Sequence, residues 1–467
     1  MPLDLGGSVH RAPGPYGAWP GSPLKRSRLV ALLVLVGACG SERADTPAVE
    51  ESPPRAAPES ADPVSADPVS ADPVSPAPEA IDESEDVEAP EEADLPIALD
   101  THVDTTQRML DEGDDPIARL EGGHLDVPRM REGGLTGAFF SIYVSPRRFE
   151  GEAAWQRALA LTERVRSFAA AHPDEVALCT SAAEVRRAAS ERKIAVLMGV
   201  EGAHALGTDE PRLALDRIRR LYELGNRYMT LTWSIDSPLG HSSLGEHPDE
   251  GLTPLGARAI ALMNRLGMIV DISHVSDRTF WEAMERTRRP VLASHSSARS
   301  LADIPRNMTD AMIRRVAANG GAVCVNYFTQ FIDRDYRLRR KRLSWRERAR
   351  FEPLQDAYTN WVDRGAAAMR LAMEIDPQIA PPTLDTLADH FEHMVRIAGP
   401  EGVCLGSDFD GVPELPLGMR DVRDLAALRE VLEGRGLPIR PIFGENVLRV
   451  LAAQEGPLAP QARDSVE

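Results

Sequence analysis

The sequence has few basic residues, few cysteines and no long apolar run, and each shortage excludes a class of protein. Its 467 residues include 53 Lys and Arg against 72 Asp and Glu, a formal net charge of −19. Nucleic-acid binding needs a basic face, so we exclude nucleic acid as a partner. The apolar run at residues 29–38 is far shorter than the stretch of about 20 residues that a transmembrane helix needs. With 43% hydrophobic and 27% charged residues, the composition is that of a globular protein.

The four cysteines are too few for a framework of disulfides. Cys324 and Cys404 lie in apolar runs that resemble buried strands. A free cysteine in such a run packs as a small apolar side chain. We therefore expect Cys324 and Cys404 to be buried thiols.

The N-terminal segment is typical of a targeting signal. Three basic residues precede the apolar run at 29–38, which is the order found in signal peptides. The run ends in Val-Gly-Ala-Cys, which resembles the lipobox of bacterial lipoproteins, whose cysteine is lipidated. We expect residues 1–39 to be a lipoprotein-type signal and Cys39 to be lipidated, which anchors the chain in the bacterial cell envelope. An ordinary secretory signal with a chance cysteine is the alternative.

Residues 40–96 are predicted to be a disordered, acidic, Pro-rich linker. Residues 41–96 contain 17 acidic and two basic residues, and the sequence Ser-Ala-Asp-Pro-Val occurs three times in tandem at 60–74. Such a segment cannot bury enough apolar surface to offset its chain entropy. We interpret it as a tether between a membrane and a globular body.

The rest of the chain, residues 97–467, alternates between short apolar segments and helical patterns. The apolar segments are rich in Val, Ile and Leu, as buried parallel strands are. We predict strands at 97–103, 137–143, 194–200, 228–232, 268–273, 290–294, 321–326 and 402–407. Eight strands separated by helices predict an α/β fold, a (β/α)8 TIM-type barrel forming a single catalytic domain. The Arg-rich stretch 337–350 is expected to be an exposed helical insertion.

Titratable side chains follow most of these strands. His102 and Asp104 are two residues apart, so on a strand they point to the same face. Other predicted strands are followed by the remaining members of the set, Glu201, His274, His295 and Asp408. A core strand would not repeatedly end in such groups without a large desolvation cost. At the C-terminal mouth of a barrel, they predict an active site.

Imidazole and carboxylate ligands together suit Zn²⁺, with Mn²⁺ or Co²⁺ as substitutes. A glutamate offers two oxygens and can bridge two ions about 3.5–4 Å apart. Such a pair lowers the pKa of a shared water and polarises a carbonyl, which is hydrolytic chemistry.

From about Asp100 to Leu451 the chain resembles the membrane dipeptidase (renal dipeptidase) family of zinc peptidases, which have an amidohydrolase-like barrel. The matching stretches are residues 100–104, 126–144, 199–206, 227–233, 251–276, 293–299, 306–308, 406–412 and 444–450. The resemblance implies two zinc ions per chain. It places His102 and Asp104 on one ion, His274 and His295 on the other, and Glu201 and a hydroxide between them.

The same resemblance assigns two further roles. Asp408 would be the acid/base that takes the proton of the water and delivers it to the leaving amine. Arg306 would bind the free carboxylate of the substrate, since a guanidinium pairs with a carboxylate through two hydrogen bonds. A surface salt bridge is the structural alternative for Arg306.

One position departs from the family pattern. Many members read Thr-Leu-Thr-His after the fourth strand, and that histidine contacts the substrate, whereas this chain has Trp233. An indole N–H donates a hydrogen bond but cannot polarise a carbonyl as an imidazolium does. His241 could fill the space, although a loop histidine without a role is favoured. His204 could orient Glu201, but a structural role is favoured for it also.

We therefore expect a lipid-anchored dizinc dipeptidase that hydrolyses dipeptides, including those with a C-terminal D-residue. One alternative is a related barrel amidohydrolase acting on another small amide or a lactone. The other is a non-catalytic surface lipoprotein that binds peptides. A homodimer is compatible with all three of these functions.

Overall fold

The structure is a computed structural model that describes residues 96–358, 360–456 and 458. The predicted signal segment, Cys39 and the predicted linker lie outside the described residues. Within the described part of the chain, no helix combines the length and the apolar character needed to cross a bilayer.

Eight parallel strands close into a barrel, which confirms the predicted fold. The closed order is β1, β2, β4, β5, β6, β7, β8, β9 and back to β1. The strands are Leu99–Val103 (β1), Gly137–Tyr143 (β2), Val176–Leu178 (β3), Ile194–Glu201 (β4), Asn226–Thr230 (β5), Ile269–Asp271 (β6), Leu292–Ala293 (β7), Ala322–Val325 (β8) and Val403–Leu405 (β9). All eight predicted strands have a counterpart, and several are shorter than predicted.

The strand β3 was not predicted from the sequence. It pairs with the start of β4, at Ile194–Val196, whereas β5 pairs further along β4, at Met198–Val200. It therefore extends the sheet outside the closed barrel. A strand of three residues has too short a pattern to be recognised by its alternation.

Helices cover the outside of the barrel and occupy the loops. They are Thr106–Asp111 (α1), Val127–Gly133 (α2), Gly151–Ala171 (α3), Ala182–Ser190 (α4), Pro211–Glu223 (α5), Pro254–Leu266 (α6), Asp277–Arg286 (α7), Asp310–Ala318 (α8), Thr329–Ile332 (α9), Arg334–Arg342 (α10), Trp345–Ala349 (α11), Pro353–Ala357 (α12), Trp361–Ile375 (α13), Leu384–Ala398 (α14), Leu425–Gly434 (α15) and Asn446–Ala452 (α16). Short 3-10 turns lie at Ala203–Leu206, Pro400–Gly402 and Val422–Asp424, and a π-type turn lies at Pro441–Glu445. Several helices begin where the sequence provides a cap: Thr253, Ser276 and Thr309 each accept a hydrogen bond from the backbone N–H three residues on.

The helical insertion α9–α13 is less exposed than the sequence predicts. It has a small core of its own, which includes Tyr336, Phe351 and Ala372. Arg340 is buried and forms an ion pair with Glu414, which also accepts a hydrogen bond from the Tyr336 hydroxyl at 2.7 Å. The expectation of an exposed helical insertion therefore fails at Arg340, where a buried carboxylate balances the arginine.

The expectation of two buried thiols is also wrong. Cys324 in β8 and Cys404 in β9 form a disulfide. The two residues are direct partners in the register of neighbouring strands, with Cα atoms 4.1 Å apart. Their 80-residue separation in sequence hides this pairing, which depends on strand order and register. Cys179 is buried and free.

Candidate metal centre

The fold gathers the six predicted metal and acid/base residues at one mouth of the barrel. His102 is the last but one residue of β1 and Glu201 ends β4, while the others follow β1, β6, β7 and β9 within a few residues. Because all these strands are parallel, their carboxyl ends meet at the same rim. All six side chains are buried: His102, Asp104, Glu201, His274, His295 and Asp408.

Glu201 lies between two groups of histidines. Its Oε2 atom is 3.5 Å from Nε2 of His102. Its Oε1 atom is 3.1 Å from Nε2 of His274 and 3.5 Å from Nε2 of His295. Each oxygen of one carboxylate thus faces a different imidazole group, as a bridging ligand requires.

The site has two chemically different sides. We call His102, Asp104 and Asp408 the carboxylate side, because two of its three members are acidic. Their ligand-type atoms lie within 4.8 Å of one another. We call His274, His295 and Arg306 the arginine side. There the Nε2 atoms of the two histidines are 2.8 Å apart.

The donor atoms of the site fit metal ions. His102 Nε2, Asp104 Oδ1 and Asp408 Oδ1 are buried and have no hydrogen-bond partner among the described residues. Buried polar atoms almost always have a partner, so three such atoms close together fit the ligands of a cation. Imidazole nitrogens and carboxylate oxygens are ligands that Zn²⁺ accepts.

Neighbouring charges shift the pKa values of His102 and His274 in opposite directions. Burial disfavours the charged form of His102, but Glu201 and then Asp104 outweigh it and raise the pKa of His102 to about 10. Burial and then the positive charge of Arg306 lower the pKa of His274 to about 3. Burial also raises the pKa of Asp408 to about 6. The carboxylate side therefore attracts a positive charge, and the histidines of the arginine side stay neutral, the form that binds metals.

Further side chains orient the imidazoles from behind. His102 Nδ1 is 2.7 Å from the hydroxyl of Tyr228. His295 Nδ1 is 2.8 Å from the hydroxyl of Ser294, which in turn donates to Asp271 at 2.6 Å. Such contacts fix which ring nitrogen faces the metal. Sequence analysis missed these residues because a tyrosine or serine within an apolar strand looks like an ordinary core position.

Glycines make room for this arrangement at two places. A Cβ atom at Gly199 would lie 2.0 Å from Cζ of Tyr228, so only glycine lets that ring reach His102. A Cβ atom at Gly411 would lie 2.0 Å from Oδ1 of Asp408. Both sites of close approach are inside the metal centre or directly behind it.

Two site residues have a left-handed backbone that is rare for residues other than glycine. His274 has a φ of 70° and Asp408 a φ of 65°. Backbone strain of this kind persists where the surroundings enforce it, and it is concentrated at functional sites. Asp408 is also held by Asn326, whose side-chain amide donates to Oδ2 at 3.0 Å.

Arg306 reaches the same site from the loop after β7. Its guanidinium is buried and donates to the Ser296 hydroxyl at 2.9 Å and to the His295 carbonyl at 2.8 Å. Arg306, eleven residues after His295 in the sequence, thus lies beside the metal centre again. A surface salt bridge, the alternative, does not describe this position.

Trp233 lies beside the metal centre and is 6% exposed. Its ring centroid is 5.0 Å from that of Tyr143 and 6.3 Å from that of His274. It also lines a cavity of about 700 Å³ with apolar neighbours that include Phe149 and Leu244. The indole thus separates this cavity from an imidazole of the arginine side.

The other histidines considered from the sequence do not join the site. His241 Nδ1 donates to the Gly251 carbonyl at 2.6 Å, in the loop between β5 and α6. His204 Nε2 donates to the Val144 carbonyl at 2.6 Å rather than to Glu201. Neither fills the place of the imidazole that Trp233 replaces.

Comparisons with known proteins agree with this geometry. Residues 93–462 match the model of the membrane dipeptidase family, peptidase family M19. An uncharacterised dipeptidase of Schizosaccharomyces pombe is 33% identical over 343 residues, which are 70% of this chain and 71% of the relative.

Two crystal structures of related proteins also align with the chain. One is a dipeptidase of family M19, described as a metallopeptidase; it has a TM-score of 0.62 and 28% identity, with 77% of this chain and 99% of that chain covered. The other is a metallopeptidase from Rhodobacter sphaeroides liganded with a phosphinate mimic of the dipeptide L-Ala-D-Ala. It has a TM-score of 0.62 and 27% identity, with 78% of this chain and 100% of that chain covered. The chain belongs to the membrane dipeptidase family M19 and is a metallopeptidase.

Proposed function

We propose that the protein is a dizinc dipeptidase that hydrolyses the single peptide bond of dipeptides, including those with a C-terminal D-residue. The observation that carries the proposal is the position of Glu201, whose Oε2 atom faces His102 and whose Oε1 atom faces His274 and His295. A single bridging carboxylate between two sets of ligands is the arrangement that a two-metal hydrolase needs.

The chain supplies a ligand set for each ion. His102, Asp104 and Glu201 would hold one, and His274, His295 and Glu201 would hold the other. When bound, such a pair of ions lowers the pKa of a water molecule and polarises the scissile carbonyl.

Asp408 is the residue best placed to move the proton. Its Oδ2 atom is held by Asn326, while Oδ1 is buried without a partner among the described residues. A carboxylate fixed at one oxygen and open at the other can accept a proton from the attacking water and deliver it to the leaving amine. This transfer requires the orientation of Asp408 that its left-handed backbone provides.

Arg306 selects the peptide bond next to the free C-terminal carboxylate. It lies against His295, so a carboxylate bound to it sits within one residue of the scissile bond. The last bond of any peptide lies at that distance from the terminal carboxylate, so the contact selects this bond, and the tripeptide control tests whether the site also excludes a longer N-terminal side. The phosphinate mimic of L-Ala-D-Ala bound by the relative from Rhodobacter sphaeroides supports the extension to C-terminal D-residues.

The test is metal content together with hydrolysis of a panel of substrates by the purified protein. The panel contains L,L- and L,D-dipeptides, with a tripeptide and a C-terminally amidated dipeptide as controls. We expect the metal centre to hold about two zinc ions per chain and the protein to cleave the free dipeptides only. Two metals without dipeptide cleavage would favour the amidohydrolase alternative, which acts on another small amide or a lactone.

We also propose that the N-terminal segment anchors the enzyme in the bacterial cell envelope through lipidated Cys39. The support is the order of basic residues, apolar run and cysteine in the sequence. Replacing Cys39→Ser should release the protein from membranes, and continued membrane association would contradict the anchor. Sedimentation of the released protein then shows whether it forms the homodimer that the sequence analysis allows.

A further inference from the structure

A second group of metal-ligand side chains lies outside the metal centre, in the loop that joins β5 to α6. Its members are Asp236, His241 and His247, whose ligand-type atoms lie within 4.8 Å of one another. Glu250 lies beside them, with Oε2 3.4 Å from Nε2 of His241. We call these four residues the loop cluster.

The carboxylate of Asp236 is fixed at the centre of the loop cluster. Its Oδ1 atom accepts the backbone N–H of Ser242 at 2.9 Å, and its Oδ2 atom accepts that of His247 at 3.0 Å. A Cβ atom at Gly245 would lie 2.0 Å from Oδ1, so a glycine is required where the loop passes the carboxylate. Asp236 Oδ2 lies 2.9 Å from Nδ1 of His247.

A backbone carbonyl fixes the tautomer of His241 so that its Nε2 atom is free to bind a metal. Its Nδ1 atom faces the Gly251 carbonyl at 2.6 Å. A carbonyl only accepts, so Nδ1 carries the hydrogen and the neutral ring presents the lone pair of Nε2 to the cluster. A backbone carbonyl behind a ligating histidine is a common means of orienting the ring.

The spacing of the donor atoms also agrees with a metal site. In a tetrahedral zinc site with bonds of about 2.0–2.2 Å, neighbouring ligand atoms are about 3.4 Å apart. Here the two nitrogen–oxygen pairs are 2.9 Å and 3.4 Å apart. Two separate ion pairs would explain the contact of His247 with Asp236 and that of His241 with Glu250, but they would not require the ligand-type atoms of Asp236, His241 and His247 to lie within 4.8 Å of one another.

We propose that the loop cluster binds a further divalent transition-metal ion, of the Zn²⁺ class, distinct from the ions of the metal centre. Two imidazoles and two carboxylates form a ligand set for Zn²⁺ rather than for Mg²⁺ or Ca²⁺, which prefer oxygen ligands alone. All four members of the cluster are partly or fully open to solvent, so an ion can exchange with the solution.

The loop cluster connects directly to one ligand of the metal centre. The backbone N–H of Ser243 donates to the His274 carbonyl at 2.9 Å, and the Ser242 hydroxyl donates to the same carbonyl at 3.1 Å. The hydroxyl of Ser234 lies 3.3 Å from Nδ1 of His274. An ion that fixes the loop would therefore also fix the position of His274.

The test measures zinc per chain in the purified enzyme, equilibrated with buffered free Zn²⁺ and analysed by mass spectrometry. We expect His247→Ala to bind one zinc fewer than the unchanged protein. His172→Ala is the matched control, because His172 also pairs with an aspartate, Asp115 at 2.9 Å, but has no second histidine beside it. It should bind as much zinc as the unchanged protein.

Equal zinc content in all three proteins would overturn the proposal. His241→Gln provides an independent variant on the other side of the cluster and should also bind one zinc fewer, with an unchanged circular dichroism spectrum. The measured quantity is the difference in zinc per chain between each variant and the unchanged protein, and all of these proteins have the same metal centre. If the metal centre does not hold two zinc ions, the zinc content of every protein changes by the same amount. The difference between the variants and the unchanged protein then stays the same.

Discussion

The carboxylate side and the arginine side of the metal centre use the same residue type, buried histidine, in opposite ways. On the carboxylate side, Glu201 and Asp104 overcome the effect of burial and raise the pKa of His102 to about 10. On the arginine side, burial and Arg306 act together and lower the pKa of His274 to about 3. Burial thus keeps an imidazole neutral unless the charge of its neighbours outweighs it, as at His102.

Because of this difference, the two sides have different roles in the proposed reaction. The carboxylate side can balance a cation and accept a proton through Asp408. The arginine side offers neutral imidazoles and one fixed positive charge, so it can receive the negative end of a substrate. The following changes test that division, in order of decreasing expected effect.

The largest effect should come from Asp408→Asn. The amide cannot take up a proton, so we expect kcat to fall about 10²- to 10⁴-fold. Zinc content should stay unchanged, because the five proposed ligands remain. Loss of one zinc would instead make Asp408 a ligand, and an unchanged kcat would remove it from the proton transfer.

On the arginine side, Arg306→Ala should lower kcat/KM for free dipeptides about 100-fold. A hydrogen bond between charged groups contributes about 1.5–3 kcal/mol, and this variant removes it only where the substrate has a carboxylate. C-terminally amidated dipeptides should therefore lose much less. Ser296→Ala, which removes a protein partner of the guanidinium, tests its positioning and should lower kcat/KM for free dipeptides less than Arg306→Ala does, again with a smaller effect on the amidated ones. Equal losses of Arg306→Ala on both substrates would refute the carboxylate contact.

A matched pair of variants tests the two sides of the metal centre separately, since each variant removes the hydroxyl that contacts one histidine. Tyr228→Phe removes the partner of His102, and Ser294→Ala removes the partner of His295. Each should weaken the retention of one zinc ion about 10-fold, at the lower end of the usual range for such partners, because a hydroxyl orients an imidazole less firmly than a carboxylate does. Competition with a chelator measures this loss, and simultaneous release of both ions by either variant would show that the two sides do not act separately.

The sequence predicted the barrel and the members of the site because both follow from local patterns. His102 and Asp104 could be placed on one face by the two-residue period of a strand, and the parallel order brings the remaining strand ends together. The supporting contacts could not be predicted in the same way. The contact between Tyr228 and His102 and the bond between Cys324 and Cys404 depend on which strands are neighbours and in what register.

The smallest effect concerns acid stability, for which each side has its own buried histidine. His390 accepts the backbone N–H of Ala298, behind the arginine side, and His124 accepts that of Asp410, behind the carboxylate side. Burial lowers the pKa of both histidines to about 4. The unfolded chain takes up these protons near pH 6.5 and the folded protein only near pH 4, so stability is present above pH 6.5 and is lost as the pH falls towards 4. Each histidine should cost about 1 kcal/mol at pH 5.5. Urea unfolding of the metal-free protein at pH 7.5 and 5.5 measures the total loss, to which the histidines of the metal centre also contribute, and His390→Asn or His124→Asn should each reduce it by about 1 kcal/mol. A loss that only one of the two variants reduces would show that acid weakens the two sides unequally.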